Sequence, residues 1–92
     1  MDAVRAHVYI EGRVQGVFYR DWTVRAARGL WLTGWVRNLE DGRVEAVFEG
    51  ERKGVTKMTE SCKKGPVASS VSHVDVVWEK ATKEYGSFEV VR

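Results

Sequence analysis

The stretch "GRVQGVFYR", residues 12–20, holds residue types that can together bind an anion. Its two glycines, Gly12 and Gly16, permit backbone conformations closed to other residues, in which successive N–H groups point at one centre. Arg20, which closes the stretch, can add a forked pair of hydrogen bonds. These groups predict a site for a phosphate-like dianion. The alternative interpretation is an ordinary strand-to-helix turn with a solvated or ion-paired arginine.

The glycine loop, which we define as residues 12–19, follows neither of two well-known phosphate-binding patterns. It lacks the Gly-Lys-Ser/Thr of a Walker A loop and the G-x-G-x-x-G of a dinucleotide-binding turn. A second polar candidate, Asn38, stands two residues before the turn "EDGR" at 40–43. On its own it is interpreted as a turn-flanking asparagine that bonds nearby backbone, because the sequence does not fix its place relative to the loop.

The segments around these residues show clear periodicity. Residues 4–11 alternate between apolar and polar, which predicts a strand, and residues 20–31 shift to helical spacing, with Thr23 and Ala27 on one face. The Asp-Gly pair at 41–42 indicates a hairpin. The full prediction is strands at 4–11, 34–39, 43–49, 72–79 and 87–92, with helices at 20–31 and 51–64.

This order, β-α-β-β-α-β with a terminal strand, predicts an α+β fold. It is the ferredoxin-like split βαβ sandwich, with an antiparallel sheet, two helices on one face and a short C-terminal strand. Residues 1–92 are expected to form a single domain, since a chain of 92 residues buries one modest core. The glycine loop then joins the first strand to the first helix, whose N-terminus carries unpaired N–H groups.

Composition excludes several classes of function. A net charge of +2, with both signs mixed along the chain, does not by itself indicate nucleic-acid binding. No apolar run reaches the ~18–20 residues that span a bilayer, and the N-terminus lacks a secretion signal. The single cysteine, Cys62, fits a reducing cytoplasm. Because His7, His73 and Cys62 are scattered, we expect no metal and no other cofactor.

The motifs closely resemble the acylphosphatase family. The resemblance is carried by "GRVQGVFYR", by "GWVRNLEDGRVEAVFEG" at 34–50, by "KKGPVASSVSHVDVVWE" at 63–79 and by "FEV" at 88–90. It implies hydrolysis of acyl phosphates to a carboxylate and inorganic phosphate, without metal or phosphoenzyme. Arg20 matches the phosphate-binding arginine, and Asn38 matches the asparagine that orients the attacking water. The backbone amides expected to hold the phosphoryl oxygens are those of Val14, Gln15, Gly16, Val17, Phe18 and Tyr19.

Two positions depart from the family pattern. Phe18 stands where a small residue is frequent; we expect it to cover the core, and the alternative is packing against the acyl group of the substrate. Trp31 stands where the family often ends the first helix with glycine. The helix should therefore lose the left-handed C-terminal cap that glycine forms without strain. Gly29, in the last turn, should weaken the helix by about 0.5–1 kcal/mol relative to alanine.

Competing functions remain open at this stage. A non-catalytic anion-binding module would keep the loop and Arg20 without turnover, and an acylphosphatase-like domain can be restricted to carbamoyl phosphate. The same fold also serves RNA-binding modules, but "RVEAVFEG" (43–50) carries glutamates where their third strand needs aromatic residues. We expect a monomeric, cytoplasmic enzyme that binds acyl phosphate, is inhibited competitively by inorganic phosphate and contacts neither nucleic acid nor membrane.

Overall fold

The structure is a computed structural model that describes residues 3–92. All seven predicted elements are present, with ends that differ by one or two residues from the periodicity. No helix within the described residues is long and apolar enough to cross a membrane. The elements are β1 (Ala3–Arg13), α1 (Tyr19–Gly29), β2 (Thr33–Asn38), β3 (Val44–Glu51), α2 (Arg52–Cys62), β4 (Ser70–Lys80) and β5 (Phe88–Val90).

The strands form one five-stranded sheet in the order β4-β1-β3-β2-β5. The four longer strands are antiparallel to their neighbours, with β1 between β3 and β4 and with the β2–β3 hairpin closed at 39–43. The ferredoxin-like prediction is therefore confirmed. This topology places the end of β1 and the start of α1 near the end of β2.

The fifth strand corrects one detail of the prediction, because β5 pairs with β2 in parallel and makes the sheet mixed. β4 and β5 lie at opposite edges, so residues 81–87 must pass across the face of the sheet that the helices leave open. The backbone N–H groups of Thr82 and Lys83 donate to the buried carboxylate of Glu49, both at 3.0 Å. This carboxylate holds residues 81–87 in place across the sheet, so that β5 lies beside β2.

The core lies between the sheet and the two helices. Apolar residues alternate along β1 and β3, and Phe48 on β3 stacks on Phe88 of β5 at 5.2 Å between ring centroids. The helices contribute the stripes that their spacing predicted, with Thr23 and Ala27 from α1 buried. Buried in α2 are Val55, Met58, Thr59 and Cys62.

The open face of the sheet carries two buried carboxylates on its central strand β3, although Tyr9 and Trp35 also lie on this face beside His7. Glu45 is 5% exposed and lies 2.6 Å from both His7 Nε2 and Arg37 Nε, and Glu49 is 2% exposed. RNA-binding modules of this fold stack bases on aromatic side chains at such positions. The two buried carboxylates thus disfavour the RNA-binding alternative.

The end of α1 contradicts the expectation that Trp31 loses the left-handed cap. Trp31 itself adopts the left-handed conformation, at φ 59°, and is 91% exposed. Leu32 N donates to Ala27 O at 3.0 Å and Trp31 N donates to Arg28 O at 3.1 Å, which is the Schellman pattern. Leu32 and Ala27 are both buried, so their packing imposes on Trp31 a conformation that normally favours glycine.

Candidate active site

The glycine loop alternates between left-handed and ordinary backbone conformations. Gly16 has φ 72° and Phe18 has φ 67°, whereas Val17 between them does not have a positive φ. Such alternation turns successive N–H groups toward one concave point, which is the geometry of a backbone anion nest. Phe18 is uncommon in this conformation, since a bulky residue there is strained. The loop therefore holds the shape that an anion site requires.

The backbone N–H groups of residues 15–18 donate to no other backbone group of residues 3–92. The loop leads directly into α1, where Phe18 is the N-cap and its carbonyl accepts a hydrogen bond from Trp22 N at 3.0 Å. No side chain caps this N-terminus. The first-turn N–H groups and the positive end of the helix dipole are thus available to an anion beside the loop.

Gly12 does not belong to this nest, which corrects the sequence interpretation. It lies inside β1, at φ 123°, where the pairing with β4 shifts register after Glu11. A Cβ at this position would collide with the backbone of Ser70 and Ser72 on β4. Gly12 is required by the close approach of two strands, and of the two glycines Gly16 alone contributes to the nest.

The loop cavity is a depression of about 430 Å³ at the junction of the glycine loop, α1 and the end of β2. It brings together Arg20 and Asn38, whose relative position the sequence did not reveal. Gln15 and Val17, both named from sequence, do not line it. The lining residues are Val14, Gly16, Phe18, Tyr19, Arg20, Asp21, Asn38 and Val90.

The side chain of Arg20 makes no hydrogen bond or ion pair with any residue from 3 to 92. The neighbouring carboxylate of Asp21 is already paired with Arg25, at 3.1 Å along the same helix. The guanidinium of Arg20 is therefore an uncompensated positive charge at the rim of the cavity. Its planar fork matches two oxygens of a phosphoryl group.

Asn38 presents a buried, unsatisfied acceptor. Its Oδ1 is inaccessible to solvent and accepts no hydrogen bond from the described residues. Buried polar atoms without partners are rare in folded proteins, and a functional site is one recognised reason for them. The interpretation of Asn38 as a turn-flanking residue that bonds nearby backbone is therefore wrong for this oxygen.

Tyr19 and Phe18, adjacent in sequence, point in opposite directions. Tyr19 is 1% exposed, and its hydroxyl donates to Cys62 O at 2.6 Å, which ties the start of α1 to the end of α2. Phe18 is 78% exposed at the cavity, so the prediction that it covers the core is wrong. The left-handed turn at Phe18 rotates its side chain away from the protein.

Cys62 is fully buried, and burial raises the pKa of its thiol to about 12. Cys62 is therefore a packed thiol rather than a nucleophile. Asp21 and Val90 line the cavity although neither was assigned to the site from the sequence; the alternation along residues 87–92 predicts that Val90, like Phe88, faces inward. Val90 is 45% exposed, and its place beside β2 depends on a parallel pairing that periodicity does not reveal.

A separate cluster on β1 and β4 brings together groups that can bind a metal ion. Ligand atoms of Glu11, His73 and Asp75 lie within 4.8 Å of one another, and His73 Nε2 is 2.8 Å from Asp75 Oδ1. None of these residues lines the loop cavity. Exposed acidic groups are common without an ion, so the cluster has no evident part in the site.

Comparison with known proteins decides the identity. A family model for acylphosphatase matches residues 6–90. The chain belongs to the acylphosphatase family. An acylphosphatase from Roseiflexus is 56% identical over 91 residues, which are 99% of this chain and 98% of that protein.

Solved acylphosphatases have the same fold. The Coxiella burnetii acylphosphatase superposes with a TM-score of 0.92 at 39% identity, over 98% of this chain and 94% of that one. The Bacillus subtilis acylphosphatase gives a TM-score of 0.93 at 31% identity, over 97% and 99%. The resemblance found in the motifs is confirmed, as is the prediction of an enzyme: the protein is an acylphosphate phosphohydrolase. A non-catalytic anion-binding module is thereby disfavoured.

Proposed function

We propose that this enzyme hydrolyses acyl phosphates by direct in-line attack of water on the phosphorus. Arg20 and the backbone amides of residues 14–19 hold the phosphoryl group, and Asn38 orients the water. One observation carries this assignment: Arg20, whose guanidinium is unpaired, and Asn38, whose Oδ1 is unsatisfied, line the same cavity. In the reaction, the bond from phosphorus to the carboxyl oxygen breaks, and a bond from phosphorus to the water oxygen forms.

Phosphoryl binding rests on groups that are fixed before the substrate arrives. Phosphoryl transfer depends mostly on positioning and on stabilising charge at the equatorial oxygens. The N–H groups of the loop are oriented by the backbone of Gly16 and Phe18, so they need little reorganisation as that charge develops. Arg20 adds a full positive charge and two directed donors on the helix side.

Asn38 supplies an acceptor, not a base. An amide oxygen does not take a proton near neutral pH, but it accepts a hydrogen bond from one O–H of a water molecule. A water held in this way directs an oxygen lone pair toward the phosphorus. Because Oδ1 has no partner within the described residues, a water that meets it when the side chain turns into the cavity satisfies an otherwise unpaired acceptor.

The leaving group needs no acid. A carboxylate leaves with a pKa of about 4, close to that of an aspartate or glutamate side chain. Neither histidine nor cysteine lines the cavity, and burial raises the pKa of Tyr19 above its ordinary value. A phosphoryl oxygen of the substrate is the proposed acceptor for the proton of the water. The products are then a carboxylate and monobasic phosphate, and the rate should follow the ionisation of the substrate.

The test measures hydrolysis of benzoyl phosphate, with a chelator present, by the parent chain and by Arg20→Ala and Asn38→Ala. Each variant should lose about 100- to 1,000-fold or more in kcat, the loss typical of a removed oxyanion-stabilising group. Asn38→Ala should keep its affinity for inorganic phosphate, whereas Arg20→Ala should lose it. Arg20→Lys keeps the charge but not the fork, so it should recover only part of the binding.

Lys57→Ala is the control, because it removes an exposed positive charge from α2, outside the cavity. It should leave kcat within about twofold. A parent chain that binds phosphate but hydrolyses no acyl phosphate would refute the proposed function. Full activity in Asn38→Ala would refute only the water-orienting role.

A further inference from the structure

Phe18 combines exposure with backbone strain at the edge of the loop cavity. Its side chain is 78% exposed, so it gives the core little. Its φ of 67° lies in the left-handed region, which glycine or asparagine occupies far more readily than phenylalanine. The nest needs this backbone shape but does not need the ring. An aromatic side chain here is therefore unexplained by folding or by phosphoryl binding.

Val90 provides a second apolar surface from a different element. It is 45% exposed, lies opposite Val36 in the parallel pairing of β5 with β2, and lines the same cavity as Phe18. Val91 N donates to Val36 O at 3.0 Å, which holds β5 against the strand that ends at Asn38. The two exposed side chains thus come from the loop and from the sheet edge, with the catalytic groups in the same depression.

The cavity also has more room than a phosphoryl group fills. Its volume of about 430 Å³ lies within the range of ~300–1,000 Å³ found for sites that enclose whole small molecules. In an in-line reaction the acyl group must point away from the attacking water. The Asp21 carboxylate is paired with Arg25, and the other polar groups of the site are assigned to the phosphoryl group and the water, which leaves the apolar walls for the acyl part of the substrate.

We propose that Phe18 and Val90 form an acyl-group subsite that makes the enzyme prefer acyl phosphates with an apolar, above all aromatic, acyl group. The proposal rests on the function proposed above. Phe18 packs its ring against the acyl group, since aromatic pairs gain from offset or edge-to-face contact. A small acyl group, such as acetyl, makes less contact with these walls and therefore gains less binding energy.

The experiment compares kcat/KM for benzoyl phosphate and acetyl phosphate in the parent chain and in Phe18→Asn. Asparagine tolerates the left-handed conformation, so this variant removes the ring without distorting the loop. The ratio of benzoyl to acetyl kcat/KM should fall about tenfold. In Val90→Ser, which lies outside the phosphoryl-binding loop, the kcat/KM for acetyl phosphate and the inhibition constant of inorganic phosphate should stay within about twofold. Phe18→Tyr keeps the ring and should keep the ratio.

A binding measurement separates recognition from turnover. Phenacylphosphonate and acetonylphosphonate, stable analogues of the two substrates, should differ in inhibition constant in the parent and converge in Phe18→Asn. Val90→Ser should lower the same ratio by a smaller factor. A parent that hydrolyses neither substrate contradicts the proposed function. An active parent with an unchanged ratio in Phe18→Asn, or with an equal loss on both substrates, overturns the acyl subsite alone.

Discussion

The side-chain amide of Gln15 donates to Leu39 O at 2.7 Å and to Arg43 O at 2.9 Å. It joins the middle of the glycine loop to both ends of the β2–β3 turn, where Leu39 N also donates to Arg43 O. Asn38 directly precedes Leu39. Gln15 therefore fixes the distance between the amides of the loop and the side chain of Asn38, although it does not line the loop cavity.

Gln15→Met should lower stability and turnover together. Two hydrogen bonds are lost, each contributing about 0.5–1.5 kcal/mol, so the free energy of unfolding should fall by about 1–3 kcal/mol. Small displacements of Asn38 against the loop should lower kcat by about 10- to 100-fold. Urea unfolding and steady-state kinetics measure both effects. An unchanged kcat in a destabilised variant would show that Gln15 supports the fold without positioning the site.

Gly16→Ala should disrupt the nest without a steric clash. An added Cβ has no neighbour within 4 Å, but the φ of 72° is strained for alanine by about 1–2 kcal/mol. The loop should relax, and inorganic phosphate should no longer raise the melting temperature by mass action. Gly42→Ala is the control, with φ 96° and equally open surroundings in the hairpin turn. It should lose similar stability but keep the phosphate effect; equal behaviour of the two variants would contradict the nest.

Tyr19→Phe tests the connection between the two helices. The variant leaves Cys62 O without the hydroxyl that donates to it at 2.6 Å, and a buried unsatisfied acceptor costs about 1–3 kcal/mol. Chemical denaturation should show that loss of stability. Because the ring still packs against Trp22, at 5.3 Å between ring centroids, the start of α1 should keep its place and kcat should remain within a few-fold of the parent value. A loss of less than about 0.5 kcal/mol would mean that the hydroxyl bond contributes little net stability.

Trp31→Gly should stabilise the protein. The φ of 59° strains a tryptophan but not a glycine, and the 91% exposed ring gives little to the core. The relief of about 1–2 kcal/mol exceeds the greater entropy of glycine in the unfolded chain, so a net gain of up to about 1 kcal/mol is expected. Thermal unfolding measures it. Trp31→Ala keeps the strained backbone and should not gain stability. A gain in both variants would show that loss of the indole ring, and not relief of backbone strain, stabilises the protein.

Lowering the pH should remove the contribution of the Glu45 carboxylate to the stability of the fold. Burial raises the pKa of this carboxyl, but hydrogen bonds from His7 and Arg37 outweigh burial and hold the pKa below its ordinary 4.5. A lowered pKa in the folded state means that the charged form is stabilised. That stability is present above the unfolded pKa and is lost as the pH falls through the folded value.

Glu45→Gln should therefore be less stable than the parent by about 1.5–3 kcal/mol near neutral pH. The deficit should shrink as the pH is lowered from about 5 toward 2. Urea unfolding across this range measures the difference. Glu60→Gln is the control, since Glu60 and its partner Lys63 are both exposed and such pairs contribute at most about 1 kcal/mol. A deficit independent of pH would contradict the lowered pKa.

The sequence by itself determined the elements, their order and the chemistry-bearing residues. Period-two alternation in β1 and helical spacing around Thr23 and Ala27 are local patterns, so they can be recognised without knowledge of the fold. The motifs around Arg20 and Asn38 carried the family resemblance. The roles of these two residues, and of the loop amides, stay predictions until the variants are measured.

Tertiary structure decided which residues meet. The distance from Arg20 to Asn38 depends on how α1 returns the chain to the sheet, and Val90 reaches the cavity only because residues 81–87 cross to the β2 edge. It also decided conformations that local preference disfavours. Phe18 and Trp31 are left-handed because the loop and the packing of Leu32 require it, and those long-range forces exceed the preference of a single residue.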